Sequence, residues 1–147
     1  MSGDRRQLVA EVGAALSALL AAAHAVTGET AAAFAAGPPP IQTATFHVAR
    51  WLGSFGPGRA TEVALGLGMD KAAVSRLLSE LVDTGLVGRR VHAEDARSFT
   101  VALTRTGRRR LDRALAQKGA ALHGRLDRFK DDELRQLAAL LGRLSVD

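Results

Sequence analysis

Residues 61–90 read TEVALGLGMDKAAVSRLLSELVDTGLVGRR, and residues 91–107 continue VHAEDARSFTVALTRTG. Within this run Val74, Leu77, Leu78 and Leu81 recur at i, i+3, i+4 and i+7, one apolar stripe along a helix. Asp70 stands where a side chain accepts the first free backbone N–H groups, and Gly85 stands where a helix ends on positive φ. The opposite face carries Lys71, Ala72, Ser75, Arg76 and Ser79, all short or cationic. Upstream, Thr61, Val63, Ala64 and Leu67 predict a shorter helix, broken at Gly66 and Gly68 into a tight turn. Two helices joined by a glycine turn, the second with a polar N-terminal face, form the arrangement that lays a helix into a DNA major groove.

Residues 86–91 and 98–103 predict two short strands, with Val91, Phe99, Val101 and Leu103 on a half-buried face. The loop between them, residues 92–97, ends on Arg97, with Asp95 two residues away to pair with it. An arginine at a hairpin tip beside such a helix reaches the adjacent minor groove, where narrow A·T-rich segments concentrate negative potential. Taken alone, Arg97 reads equally well as a solvated turn residue; the helix pair before it decides between the two. Charge is partitioned the same way. Residues 86–113 hold eight arginines against Glu94, Asp95 and Asp112, a balance of +5, equal to the net charge of the whole chain. Clustered charge of one sign is a footprint for phosphate. Arg89 and Arg90 belong to that cluster, as do Arg108, Arg109, Arg110 and Arg113, some expected at phosphates and others in water.

The run resembles the winged-helix core of the MarR (multiple antibiotic resistance regulator) family. That resemblance rests on Asp95-x-Arg97 in the wing, followed by Leu103-Thr104 and then Gly107. Glu62-Val63-Ala64, Val74-Ser75-Arg76 and Gly85-Leu86-Val87 also fit, and residues 41–52 are similar to a further family helix, with Ile41, Gln42 and Thr45 replacing its usual leucine, threonine and glutamine. Ala72 and Ala73 depart from the pattern, because many relatives carry a polar residue there. The resemblance implies a homodimer interlocked through its N- and C-terminal helices. It also implies a repressor released by a small aromatic or anionic molecule lodged between those helices and the winged domain. In this chain that junction draws on His24, Phe34, Phe46, His47, Arg50 and Trp51. Trp51 and Phe46 would stack on a ring, and Arg50 or His47 would meet its charge. The simpler reading, which the residues favour, puts Phe46 and Trp51 in the core and Arg50 in water.

The flanks complete a mainly α chain with a small β-wing. Residues 4–35 predict one long helix with Leu8, Val12, Leu16, Leu19, Leu20 and Val26 as its stripe, stopped by Gly37-Pro38-Pro39-Pro40. After the wing, Thr104 or Thr106 starts a helix to about residue 129, and Asp131 or Asp132 caps a last one containing Leu134, Leu137, Leu140, Leu141 and Leu144. We expect residues 41–109 to form the winged helix-turn-helix, and residues 1–40 and 110–147 a helical dimerisation region. Such leucine-bearing helices exceed what one small winged domain needs, which calls for a second copy. A two-fold pair predicts a pseudo-palindromic duplex site with half-sites about 10 bp apart.

Other classes fit poorly. With 147 residues, 47% of them apolar, the chain can bury one core without disulfides, and the lack of cysteine fits a reducing cytoplasm. Arg5 and Arg6 before an alanine-rich run mimic a secretory signal, but Glu11 interrupts it and alanine drives insertion weakly. His24, Glu29 and Thr30 are expected to break the run below membrane-spanning length, so no membrane partner is expected. The four histidines lack metal-ligand spacing, residues 53–58 look like a turn rather than a phosphate loop, and no serine sits in a nucleophile elbow. We therefore expect no catalytic site, metal or cofactor. The alternative to a DNA-binding regulator is a winged-helix module for protein interaction or ligand binding whose DNA contacts have weakened, a reading that Ala72-Ala73 favours.

Overall fold

The computed structural model describes residues 3–92 and 94–145; the side chains of residues 95–98 and 121 lie outside the described set. Six helices and one antiparallel pair of strands follow in the order α1 (Gly3–Ala36), α2 (Thr45–Phe55), α3 (Ala60–Leu67), α4 (Lys71–Asp83), β1 (Val87–His92), β2 (Asp95–Leu103), α5 (Arg105–Leu126) and α6 (Asp131–Leu144). The fold is mainly helical with a two-stranded wing, as the sequence pattern requires.

One core holds α2, α3, α4, the base of the wing, the end of α1 and the start of α5. Val74, Leu77, Leu78 and Leu81 are all buried, so the stripe read from the sequence is the inner face of α4. They pack with Phe34, Phe46, Val48, Leu52, Val63, Leu86, Val101 and Leu111. Asp70 caps α4 by accepting from the Ala73 N–H at 3.2 Å, and Gly85 turns the chain away at φ +75°.

Two glycines do other work than expected. Gly66 lies inside α3 rather than in the turn, which Gly68 makes alone at φ +62°. A side chain at Gly66 would occupy the space of the Trp51 indole, so this glycine is there for packing. Gly53 sits within α2, where Leu111 presses on it, and the turn that was expected from residue 53 starts only at Gly56, φ +80°. The helix assigned from residue 41 begins at Thr45, whose hydroxyl donates to the Gln42 carbonyl at 2.5 Å; residues 41–44 form its approach.

The wing is longer than the expected hairpin. β1 reaches His92 and β2 starts at Asp95, so the strands take in residues 92 and 95–97 of the expected six-residue loop 92–97. Pairing runs regularly from Val87 opposite Leu103 to Val91 opposite Phe99, then steps to His92 opposite Asp95. Residues 96–98 are the excess on the second strand, a bulge that re-aims the tip. Val101 is buried at the base, whereas Val91 is 62% exposed, because the hairpin outruns the body that would cover it.

At the far end, Lys130 rather than Asp131 or Asp132 is the N-cap of α6, with its N–H donated to Glu133 at 2.8 Å. The two aspartates lie in the first turn, where negative charge suits the helix dipole. Leu8, Val12, Leu19 and Leu20 on α1, Leu122 on α5 and Leu140 and Leu144 on α6 are all more than half exposed. Contrary to the sequence expectation, α1 is long and apolar enough by length and composition alone to cross a membrane; its isolated polar residues do not shorten it below that limit.

Gly107 of α5 lies against the Leu86 carbonyl so closely that a Cβ would overlap it, while nothing stands near a Cβ at Gly119. We predict that Gly107→Ala costs several kcal/mol, about 3 or more for forced backbone displacement. Gly119→Ala should stabilise the helix by roughly 0.5–1 kcal/mol. Urea unfolding of the two variants checks both signs.

Candidate nucleic-acid interface

Lys71, Ala72, Ser75 and Arg76 are all exposed on α4, directly opposite its buried stripe. The helix is held by its inner face, so these four side chains keep a fixed order along its outer one. Ser79 donates to the Ser75 carbonyl at 3.0 Å, which turns its hydroxyl back along the helix.

Beside this face is an open hollow of about 440 Å³ lined by Gln42, Ser75, Arg76, Ser79, Glu80, Asp83 and Thr84. Glu80 accepts from the Gln42 backbone N–H at 3.0 Å and so ties the approach to α2 onto α4. Sequence spacing does not reveal this contact, because the two residues are 38 positions apart.

The wing brings the second group of cations. Arg89 and Arg90 are exposed on β1 and point to opposite faces of the hairpin, as neighbours in a strand must. Arg89 lies over the Phe99 ring at 5.1 Å, a cation–π contact that holds its long side chain along the wing. Asp95 and Arg97 are in β2 by their backbone; their side chains, and the pairing expected between them, lie outside the described set.

Wing and helix are fastened together at one place. Thr104 donates its hydroxyl to the Gly85 carbonyl at 2.7 Å, accepts from the Gly107 N–H at 3.1 Å, and gives its own N–H to Leu86 at 3.1 Å. It therefore caps α5 and ties the end of α4 to the end of β2. On the other edge, Gly58 exchanges both backbone bonds with Val101, at 3.1 and 2.8 Å.

Not all of the arginine cluster is available to a partner. Arg110 donates to four backbone carbonyls and is only partly exposed; burial lowers its pKa from the usual arginine value. Arg108 reaches the Gly53 carbonyl at 3.3 Å, whereas Arg105, Arg109 and Arg113 are exposed.

The residues expected at a ligand junction scatter. Phe34 and Phe46 are fully buried against each other, with ring centres 5.9 Å apart, and Trp51 fills the space over Gly58 and Gly66. They are core, as the simpler reading has it. His24 is exposed on α1, and His47 and Arg50 are exposed on α2. Arg50 and burial together lower the pKa of Lys118 on α5, burial being the larger cause, and Lys118 donates to Thr27 at 3.2 Å. A separate groove of about 540 Å³, lined by Leu19, Val26, Leu115, Leu122, Phe129 and Leu137 among others, runs between the terminal helices. Among the described residues no three histidine or carboxylate side chains converge on a point.

Residues 40–98, from the approach to α2 through most of the wing, match the sequence profile of the MarR family. Over that stretch the winged helix is similar to the MarR family. The HTH-type transcriptional repressor YetL of Bacillus subtilis (strain 168) is 33% identical over 90 residues, 58% of this chain. That match spans 54% of YetL, about half its length. The YusO protein of Bacillus subtilis superposes with a TM-score of 0.78 at 22% identity, covering 99% of this chain and 98% of that one. RV1404 of Mycobacterium tuberculosis superposes at 0.78 with 21% identity, over 99% and 93% of the two chains. Wild-type MarR from E. coli in its apo form superposes at 0.65 with 24% identity, over 89% and 97%. At these identities the superpositions establish a shared fold, terminal helices included.

The helix-turn-helix depends on the cap that starts α4. Asp70→Ala should lower stability by about 1 kcal/mol, the usual cost of an N-cap, measured as a shift of the urea midpoint at unchanged slope. A change below a few tenths of a kcal/mol would show that the Ala73 bond contributes nothing.

Proposed function

We propose that the chain is a dimeric, sequence-specific DNA-binding transcriptional regulator, a repressor that occludes its site and is released by a small anionic or aromatic molecule. The observation that carries this reading is the exposed row Lys71, Ala72, Ser75 and Arg76 on a helix whose other face is locked in the core, next to a wing bearing Arg89 and Arg90. Lys71 and Arg76 donate to guanine edges or phosphates, Ser75 to either, and the small Ala72 lets the helix approach a thymine methyl. Arg97, with Asp95 beside it in sequence, is assigned to the minor groove next to the recognition helix.

Pairing follows from the apolar excess. The exposed leucines of α1, α5 and α6 leave apolar side chains in water on three helices, and a second copy covers them with the fewest assumptions. This assigns residues 1–40 and 110–147 to dimerisation and residues 41–109 to the winged domain. The same covering accounts for the span-like composition of α1 without a membrane and accords with a cytoplasmic regulator. For the effector, Phe46 and Trp51 are already committed to the core, which leaves His24, His47 and Arg50, with Lys118 near Arg50, as the polar groups of the junction. Arg50 and Lys118 bring positive charge to that set, so an anionic effector suits it better than a neutral ring.

Selection of bound duplexes from a random pool tests the reading. A pseudo-palindromic motif with half-sites about 10 bp apart is expected. Arg76→Ala should relax one or two positions of that motif, a loss of ~1–3 kcal/mol if the contact to guanine is bidentate. Arg97→Ala should instead weaken binding to all sequences and reduce the salt slope by about one. Absence of an enriched motif, with affinity indifferent to salt, would favour the interaction module that Ala72-Ala73 leaves open.

Introducing charge as Leu140→Glu with Leu144→Glu should give a monomer in sedimentation, with DNA affinity reduced at least tenfold through loss of the second half-site. A wild-type chain that sediments as a monomer at micromolar concentration would remove the basis of this assignment.

A further inference from the structure

Arg110 belongs to the cationic cluster by sequence, yet the fold spends it on the chain itself. Its Nε donates to the Phe34 carbonyl at 2.7 Å, Nη1 to Pro39 at 3.1 Å, and Nη2 to Ala35 at 3.2 Å and Gly37 at 3.1 Å. Its guanidinium also lies 5.3 Å from the centre of the Phe34 ring. Phe34 and Ala35 are in the last turn of α1, where carbonyls have no partner within the helix, and that turn carries no basic residue of its own. A cation from α5 therefore supplies both the missing donors and the charge that the C-terminal end of a helix dipole favours.

The receiving end is shaped for it. A Cβ at Gly37 would come within 2.9 Å of Arg110 Cζ and Nε, although Gly37 is not among the glycines at positive φ. The glycine is thus explained by room for the guanidinium rather than by backbone freedom. The clamp is also well placed. Arg110 precedes Leu111, which is buried in the winged core, while Phe34–Pro39 is where α1 leaves that core. Any rotation of α1 about this junction must break several of the four bonds together.

We propose that Arg110 is a positioning residue that fixes the angle between the dimerisation helix α1 and the winged domain, and thereby sets the half-site separation that the dimer accepts. The proposal rests on the dimeric DNA-binding reading above. Each recognition helix is connected to its partner's through α1, so a change of angle at residues 34–39 alters the distance between the two α4 helices. One base pair is about 3.4 Å along the duplex, a shift that a modest swing of a 34-residue helix exceeds.

The test uses the full chain against a duplex pool in which the motif enriched by the wild type is held fixed and only the separation of its half-sites varies. Wild-type protein is expected to enrich one separation sharply. Arg110→Lys keeps the charge but cannot bridge four carbonyls as a planar fork does. Gly37→Ala keeps Arg110 and displaces its guanidinium. Both should spread enrichment over neighbouring separations, cutting the preference for the best one by about tenfold, with single half-site contacts unchanged. Arg109→Ala, which removes an exposed charge one position away, should lower affinity at every separation without spreading it. If both clamp variants bind with the wild-type separation profile, or lose affinity equally at all separations, Arg110 is merely structural and the proposal falls. A wild type that enriches no motif overturns the DNA-binding reading itself, and this inference with it.

Discussion

The contact between Thr104, Gly85, Leu86 and Gly107 joins the end of α4, the base of the wing and the start of α5. One hydroxyl both donates to the end of the helix-turn-helix and accepts from the start of α5, and the Leu86 carbonyl lies where only a glycine lets another helix approach. A two-stranded hairpin is marginal in water, so this wing keeps its direction by being tied at its base. Leu86, Val87 and Val101 are buried there, whereas Val91 is bare towards the tip. The cost of the Leu103-Thr104…Gly107 spacing is paid in sequence tolerance rather than in stability.

The second constraint concerns charge. A chain with a strong local excess of arginine must keep those charges in water or give them partners. Here the cluster divides by position on α5. Arg105, Arg109 and Arg113 stay exposed, Arg108 is exposed yet donates to the Gly53 carbonyl, and Arg110 turns inward to four backbone carbonyls. Inward-facing arginine is tolerated because carbonyls, unlike carboxylates, leave the charge intact and require no second ion to be desolvated. The formal charge near the recognition helix therefore overstates the charge presented to a partner.

How far the sequence speaks depends on whether a feature is local. The α4 stripe, the Asp70 cap, the positive φ of Gly85 and the stop after α1 are set by neighbours within a turn or two, and each was readable from spacing. The glycines were not. Gly66 looks like a turn residue until Trp51, fifteen positions earlier, is found against it, and Gly53 looks like a loop until Leu111 is found there. The same holds for the site. The exposed row on α4 follows from helical periodicity, but Glu80 holding Gln42, and Arg110 holding the end of α1, join residues 38 and more than 70 positions apart. The wing differs for another reason. Alternation shows a strand, but a bulge adds residues without disturbing the apolar pattern at its base, so β2 starts three residues before the alternation does.

The two ends of the molecule then place opposite demands on α5. Its first turns carry Leu111 and Ala114 into the winged core, and its later turns present Leu122 to solvent beside the groove it forms with α1. A single helix thus belongs to two packing environments, and α1 does likewise, buried only over Thr30–Ala35. In the proposed dimer, a molecule bound where α1, α2 and α5 meet, near Arg50 and Lys118, would bias the separation of the α4 helices only by favouring one angle over another. A junction held by several directional hydrogen bonds has few such angles, which makes it a better switch than a purely apolar contact that slides.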